Sequence, residues 1–242
     1  MITKTEQERY TRQILIDELG TDGQERLKKS KLLIAGAGGL GAPILLYLAA
    51  AGVGTLRIVD DDKVSLSNLN RQIIYRDNDI GAEKAETAKA RVLELNPHIN
   101  VESIKVTITR DNVFDLSEGC DLILDAMDNF AARYLLNETA VKRNIPFIYG
   151  GVYGLEGALS TIIPFKTACL RCIFPDSPLP STAPVLGVTP GIIGSLQAME
   201  AIKYVTGIGR LLINKLLVFD GFNLKFREVV LRRNPGCPCC SS

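Results

Sequence analysis

The feature that most constrains this chain is a glycine-rich turn between a strand pattern and a helix pattern. Residues 36–41 read GAGGLG, which fits G-x-G-x-x-G. An apolar run at residues 31–35 precedes the turn, and small and apolar residues at 40–51 follow it before Gly52. Glycines let the backbone approach a phosphate closely, and the start of the helix offers free N–H groups. The segment therefore predicts the nucleotide-binding unit of a Rossmann-like sheet.

An acidic residue stands where such a unit needs one. A second strand pattern at residues 55–59 ends at Asp60, which lies 60 − 41 = 19 positions beyond Gly41. A carboxylate at this spacing can accept hydrogen bonds from ribose hydroxyls. The two signals together favour nucleotide binding over a tight turn that binds nothing. Taken alone, they also fit a nicotinamide-dependent dehydrogenase.

Strand and helix patterns alternate through the first 150 residues, which predicts crossover connections and a parallel sheet. The further strands are predicted at residues 101–106, 121–124 and 145–149, with helices at 83–95 and 131–143. A capping-box pattern, Thr5 with Glu8, predicts a helix at the start. After residue 150 we expect antiparallel strands at 159–164, 216–219 and 224–231, and a helix at 192–205. The expected architecture is α/β, a Rossmann-like and mostly parallel sheet flanked by helices, in one domain over 1–242.

Charged and amide side chains cluster beyond what a dehydrogenase requires. Arg71 and Lys84 follow the second strand, and Asp128 follows the strand at 121–124. Fixed cations stabilise charge that moves onto a leaving pyrophosphate, and an aspartate oxygen is a ligand that Mg²⁺ accepts. The alternatives are a solvated face for the two cations and a helix N-cap for Asp128. Their joint occurrence beside a nucleotide turn favours an enzyme that works on a triphosphate.

Six cysteines occur in a chain whose start, MITKTEQERY, lacks a secretory signal. Four of them form two C-x-x-C pairs separated by 237 − 172 = 65 positions, namely Cys169 with Cys172 and Cys237 with Cys240. Two such pairs predict a structural tetrahedral Zn²⁺ site, with unconnected thiol pairs or a redox dithiol as alternatives. Cys239 could replace Cys240 as a ligand, and Cys120 is expected to be a small apolar residue.

The charge balance excludes other classes of function. The chain has 28 basic and 27 acidic side chains, a net charge of +1, which argues against nucleic-acid and membrane partners. Its most apolar stretch, residues 42–53, is 12 residues long, well short of the roughly 20 that span a bilayer. We therefore expect a cytoplasmic protein.

Several motifs together resemble the ThiF/MoeB/HesA family, the prokaryotic relatives of ubiquitin-activating enzymes. The resemblance covers nearly the whole chain, and it rests on RYTRQI (9–14), GAGGLG (36–41), DDDKVSLSNLNRQ (60–72), NPHI (96–99), DAMDN (125–129), CLRCIFPD (169–176), GSLQAMEAIKYVTG (194–207) and RNPGCPCC (233–240). It implies ATP-dependent adenylation of the C-terminal Gly-Gly carboxylate of a small ubiquitin-like sulfur carrier protein, ThiS- or MoaD-like. Residues 1–150 would then bind the nucleotide, and 151–242 would bind the carrier and zinc.

The resemblance also assigns residues. It implies catalytic roles for Arg71, Lys84 and Asp128, and for Arg12, which in the family reaches the ATP of the partner subunit of a homodimer. The implied nucleotide and Mg²⁺ contacts are Gly38, Gly39, Gly41, Asp60, Asp61, Asn68, Arg71, Gln72, Lys84, Asp128 and Asn129.

One segment departs from the family pattern. Many relatives carry a cysteine in the loop after the first C-x-x-C pair, whereas residues 173–190 contain none. Serine and threonine cannot replace a thiol in disulfide exchange, so we expect adenylation only, with sulfur delivered by a separate protein. Because the chain ends at Ser242, we expect no appended sulfur-transfer domain. The pathway stays open between thiamine and molybdopterin synthesis.

Overall fold

The computed structural model describes residues 1–176 and 184–241. Its strands form one sheet in the order β3-β2-β1-β4-β5-β6-β7-β8. The strands are β1 Lys31–Ala35, β2 Thr55–Val59, β3 Asn100–Ile104, β4 Leu122–Asp125, β5 Phe147–Tyr153, β6 Glu156–Ile162, β7 Lys215–Asp220 and β8 Lys225–Val230. Neighbours from β3 to β5 are parallel, and those from β5 to β8 are antiparallel. The predicted fold class is confirmed.

Helices cover both faces of the parallel part of the sheet. They are α1 Lys4–Arg9, α2 Thr11–Ile14, α3 Gly20–Lys29, α4 Gly41–Ala51, α5 Lys84–Leu95, α6 Val113–Leu116, α7 Phe130–Arg143, α8 Leu170–Ile173 and α9 Val188–Thr206. Among the helices of the described residues, none combines the length and the apolar character needed to cross a membrane.

Alternation along β1 divides the core into two layers, because successive side chains of a strand point to opposite faces. Leu32 and Ile34 pack with α4, α5 and α9, whereas Leu33 and Ala35 pack with α6, α7 and α8. The second layer includes the buried Cys120 as a small core residue, as predicted, and Cys169, Cys237 and Cys240. The zinc-type cysteines therefore belong to the layer beneath α7.

The strand order reverses beside β1, and this reversal locates the ligand crevice. The chain moves from β1 to β2 and β3 on one side, then returns to place β4 on the other side of β1. Ala35 pairs with Asp125 at the carboxyl ends of β1 and β4. Ligands of open parallel sheets bind at such a reversal. The glycine turn and the loop that carries Asp128 start side by side there.

Three local predictions need correction. The capping box uses Thr3 and Glu6, not Thr5 and Glu8, because Glu6 also pairs with Lys28 at 2.7 Å. Strand β5 continues through Gly150 and Gly151. The prediction ended this strand at residue 149. A Cβ at Gly150 would lie 2.3 Å from the side chain of Gln197, so this glycine permits close packing within the strand.

Helix α9 starts at Val188, four residues before its predicted start. Pro190 lies in its first turn, where the missing N–H has no helical partner to lose. The cysteine-free loop at 173–190 lies partly outside the described residues, which do not include 177–183.

Candidate nucleotide and metal sites

The glycine turn packs against the neighbouring backbone too closely for any side chain at two positions. Gly36 has a φ of +100°, and a Cβ there would lie 2.5 Å from the Ala126 carbonyl oxygen. A Cβ at Gly41 would lie 2.2 Å from the Gly36 carbonyl oxygen. By contrast, the nearest heavy atom to a Cβ at Gly38 would be 3.6 Å away. The outer two glycines therefore shape the turn, and Gly38 leaves space for a ligand.

Asp60 is positioned by the turn that it faces. Its Oδ2 accepts a hydrogen bond from the Ala37 N–H at 2.7 Å, and its Oδ1 accepts one from the Asp62 N–H at 2.9 Å. Burial raises the pKa of Asp60, although these two hydrogen bonds and the nearby Lys84 act in the opposite direction. A carboxylate has about four acceptor positions. Two are therefore left for ribose hydroxyls.

The two predicted cations, Arg71 and Lys84, both lie in segments that contact the glycine turn or its neighbours. Lys84 is the first residue of α5, and its Nζ lies 2.7 Å from Asp62 Oδ2 although the lysine side chain is only 5% exposed. Arg71 donates to the Ser67 carbonyl at 2.8 Å and to Asn70 Oδ1 at 3.1 Å. Its Cγ would lie 3.6 Å from a Cβ at Gly39. The structure thus places Arg71 beside the glycine turn and pairs Lys84 with Asp62, two residues after the Asp60 that contacts the turn.

Gln72 and Asn68 supply amides beside these cations. Gln72 is buried, its Nε2 would lie 3.6 Å from a Cβ at Gly38, and its Oε1 has no partner among the described residues. An unpartnered buried polar atom is costly unless a bound group satisfies it. Asn68 Oδ1 accepts from the Ser65 N–H at 3.2 Å, which leaves the Nδ2 amide to donate. These residues fit a polar ligand that enters the turn.

Asp128 is exposed at the end of the loop after β4. The N-cap of α7 is Asn129, whose Oδ1 accepts from the Ala132 N–H at 2.9 Å. The alternative that Asp128 caps this helix is therefore wrong. The carboxylate of Asp128 accepts only the Asn129 Nδ2 at 3.3 Å within the described residues. It offers oxygen ligands of the type that Mg²⁺ prefers.

Two predicted site residues lie apart from this cluster. Asp61 accepts a short hydrogen bond from the Thr107 hydroxyl, so its carboxylate is engaged with the segment after β3. Arg12 is exposed on α2, and its neighbour Gln13 donates to the Ala51 carbonyl at the carboxyl end of α4. The glycine turn lies at the other end of α4, about 16 Å away for a helix of this length. Arg12 is not brought to the turn of its own chain.

A buried ion pair beneath the crevice was not predicted. Arg133 Nε lies 3.3 Å from Asp125 Oδ2, and Arg133 Nη2 donates to the Met127 carbonyl at 2.6 Å. Burial raises the pKa of Asp125 to about 6, against the charge of Arg133. Gln197 of α9 donates to the Asp125 carbonyl at 2.7 Å. The pair fixes the start of the loop that carries Asp128, and a helical arginine gives no sequence signal for such a role.

The four cysteines predicted to bind zinc meet in one cluster. All four sulfur atoms lie within 4.8 Å of one another, with 3.6 Å between Cys169 and Cys237 and 3.6 Å between Cys172 and Cys240. Tetrahedral Zn²⁺ with bonds of 2.3 Å places its thiolates about 3.8 Å apart. The donor set and spacing therefore fit Zn²⁺.

Cys239 is directed to a different partner. Its sulfur accepts from Asn137 Nδ2 at 3.2 Å, and Asn137 Oδ1 accepts from the Leu170 N–H at 2.8 Å. One buried amide of α7 thus contacts both C-x-x-C segments. Within the described residues, the geometry favours Cys240 over Cys239 as the fourth ligand.

Comparisons with known proteins agree with this geometry. The sequence profile of the ThiF family matches residues 10–239. The SAMP-activating enzyme E1 of Haloferax volcanii is 45% identical over 242 residues, which cover 98% of this chain and 89% of the relative. The sulfur carrier protein ThiS adenylyltransferase of Escherichia coli is 42% identical and covers 96% of this chain and 94% of the relative.

A solved structure with the same fold is that of Escherichia coli MccB with ATP. It superimposes with a TM-score of 0.85 at 25% identity, over 96% of this chain and 74% of the MccB chain. These relatives are named as activating and adenylating enzymes, so the dehydrogenase alternative is not favoured. The chain belongs to the ThiF family.

Proposed function

We propose that this chain adenylates the C-terminal Gly-Gly carboxylate of a small ubiquitin-like sulfur carrier protein. A carboxylate oxygen of the carrier attacks the α-phosphorus of ATP, and the bond from that phosphorus to the bridging oxygen breaks. Pyrophosphate leaves with the electron pair, and the carrier retains AMP as an acyl-adenylate. The names of the relatives support this reaction class.

The convergence of charged groups on the strand-order reversal carries the proposal. The glycine turn offers N–H groups at the start of α4, Lys84 and Arg71 supply positive charge, and Asp60 would accept hydrogen bonds from the ribose. Displacement at phosphorus needs positioning and charge stabilisation, and no side chain has to act as a nucleophile. This arrangement suits a triphosphate better than a nicotinamide dinucleotide.

The exposed Asp128 would hold Mg²⁺, with Asn129 beside it. A bound Mg²⁺ would neutralise negative charge on the phosphates. The Arg133–Asp125 pair keeps this loop beside β1. Arg133 is itself held in place, because its guanidinium also donates to the Met127 and Gly150 carbonyls at 2.6 and 3.1 Å. The metal ligand would therefore sit on a rigid support.

The half of the chain after residue 150 would bind the carrier. Strand β8 is the last strand of the sheet and is exposed along its whole length. Phe222, Leu224 and Val230 are each more than 70% exposed. A free strand edge with apolar side chains is a surface on which another protein can add a strand or pack. The proposed occupant is the folded body of the carrier.

Arg12 would complete the site of a second subunit in a homodimer. In its own chain it lies at the far end of α4 from the glycine turn. A cation that serves the triphosphate from this position must come from another copy. Sulfur would be delivered by a separate protein, because residues 173–190 contain no cysteine.

Carrier-dependent exchange between pyrophosphate and ATP tests the reaction. ThiS-like and MoaD-like carriers are assayed separately. The wild-type protein is expected to transfer label from pyrophosphate to ATP in the presence of one of them, and that carrier indicates the pathway. Asp128→Ala should reduce the rate by at least about 100-fold, since it removes a charge-stabilising group. Asp115→Ala, which changes an exposed aspartate of α6, should not. The proposal would be contradicted if Asp128→Ala kept the wild-type exchange rate. It would also be contradicted if the wild type bound ATP but showed no pyrophosphate exchange in the presence of either carrier.

A further inference from the structure

Tyr75 lies between the glycine turn and the start of α5, and it belongs to neither. Its side chain is buried, and its hydroxyl oxygen lies 2.9 Å from the Ala37 carbonyl oxygen and 3.2 Å from the Lys84 carbonyl oxygen. Ala37 belongs to the glycine turn, and Lys84 begins α5. The hydroxyl has one proton, and with both carbonyls within reach it shares that proton between them in a bifurcated hydrogen bond. It therefore joins the turn to the helix that carries the buried cation.

The same two segments are joined on their other side through the end of β2. Asp60 accepts from the Ala37 N–H and from the Asp62 N–H. The backbone carbonyl of Asp62 accepts from the Lys84 N–H at 2.9 Å, and its carboxylate Oδ2 accepts from Lys84 Nζ at 2.7 Å. The hydrogen bonds thus run from Ala37 through Asp60, Asp62, Lys84 and Tyr75 back to Ala37. Tyr75 closes this ring.

The closed ring of hydrogen bonds restrains Lys84. Such a restraint matters because lysine places a point charge at the end of a flexible stem. Asp62 is 67% exposed on its side chain, so an ion pair with it alone would restrain Lys84 weakly. The buried hydroxyl restrains the backbone of Lys84 against the turn. Burial, together with the Asp60, Asp62 and Asp79 carboxylates, raises the pKa of Tyr75. The hydroxyl therefore keeps the proton that it donates.

We propose that Tyr75 is a positioning residue that sets the distance between the Lys84 ammonium and the phosphate-facing glycine turn. The inference rests on the proposed binding of ATP in that turn. Tyr75 would touch neither the nucleotide nor the carrier, and would act through Lys84 and Ala37. Its loss would loosen the phosphate site without altering the surface for the carrier.

Tyr75→Phe tests this inference, because it removes the hydroxyl and leaves the ring. The matched control is Tyr134→Phe, because Tyr134 is a similarly buried residue whose hydroxyl donates to the Phe174 carbonyl, at 2.9 Å, away from the glycine turn. Calorimetry with Mg·ATP gives Kd without any carrier. Tyr75→Phe should raise Kd, and KM for ATP in pyrophosphate exchange, roughly tenfold, which corresponds to about 1.4 kcal/mol. Its KM for the carrier should not change, and Tyr134→Phe should match the wild type in all three constants.

A double-mutant cycle separates positioning of the ammonium from general support. In a Lys84→Met background the ammonium is absent, so Tyr75→Phe should weaken ATP binding by much less than tenfold. Additive losses would overturn the role through Lys84. Equal Kd values for Tyr75→Phe and Tyr134→Phe, with both variants folded, would overturn the whole inference. If the wild type binds ATP but shows no pyrophosphate exchange with either carrier present, the proposed reaction is wrong. The Kd values for ATP, which need no carrier, would still decide the role of Tyr75.

Discussion

At the scale of single residues, the glycine turn requires two positions without a side chain, Gly36 and Gly41. Gly41 adopts ordinary helical geometry, yet its α-carbon faces the Gly36 carbonyl at a distance that excludes a Cβ. The need for glycine there is a matter of contact between two backbones and not of backbone conformation. Gly36 differs, because its positive φ alone already favours glycine.

We predict that Gly41→Ala opens the glycine turn. The new Cβ would lie 2.2 Å from a backbone oxygen, and relief of such overpacking costs about 1–3 kcal/mol. Urea denaturation should show this loss in the free energy of unfolding, together with weaker binding of ATP. Gly191→Ala in α9 is the control, because a Cβ there meets nothing within 4 Å. A Gly41→Ala protein with wild-type stability and ATP affinity would show that the turn is looser than described.

At the scale of elements, the four cysteines tie the chain's last segment to a short helix. Cys169 is the N-cap of α8, and Cys237 and Cys240 come from the segment after β8. The Asn234 N–H donates to the Cys172 sulfur at 3.4 Å, a contact that orients a metal ligand. A closed set of four thiolates leaves no open position for catalysis. With Zn²⁺ bound, this set would hold the segment after β8 under α7.

We predict one zinc ion per chain, bound through Cys240 and not through Cys239. Elemental analysis of Cys240→Ser should show loss of most of the zinc, and its Tm should fall, because binding of structural zinc contributes directly to folding. Cys239→Ser and Cys120→Ser should keep the metal. The reverse outcome, zinc retained in Cys240→Ser and lost in Cys239→Ser, would make Cys239 the fourth ligand.

At the scale of the whole molecule, one chain does not assemble every group that the family resemblance assigns to the site. Arg12 is placed by α2, whose Gln13 also donates to Gln24 of α3 at 2.8 Å. This contact and the one with Ala51 hold α2 at the amino end of the sheet, away from the crevice. The proposed homodimer follows from this separation.

A mixing experiment tests the sharing of sites between subunits. Arg12→Ala and Asp128→Ala are each expected to be inactive, but a hybrid dimer would contain one site with both residues intact. Random mixing in equal amounts should then restore about a quarter of the wild-type exchange rate for a two-fold dimer. Mixing Arg12→Ala with the Arg12→Ala, Asp128→Ala double variant provides the control and should restore nothing. No recovery in the first mixture would mean that Arg12 does not act across an interface.

Local patterns in the sequence predicted most of the elements and the residues of the proposed site. Strands β1 and β2 lie at the predicted residues, because a buried parallel strand is a short apolar run bounded by turn residues. The errors occur where a contact with a residue far away in the sequence determines the bounds of an element. Glu6 selects the helix start through Lys28, and Gly150 stays in β5 because Gln197 packs over it.

By itself the sequence determined which residue types are present in which order: the glycine turn, the acidic and basic residues after β2 and β4, and the two cysteine pairs. Only the tertiary structure decided how they are used. It turned Asp61 toward Thr107, separated Arg12 from the turn, grouped Cys240 with Cys169, Cys172 and Cys237, and placed the hydroxyl of Tyr75 between two backbone carbonyls. The physical reason is the separation along the chain over which each kind of interaction acts. Propensity and spacing act over a few residues, whereas hydrogen bonds and ligand geometry depend on atoms that the fold brings together from distant parts of the chain.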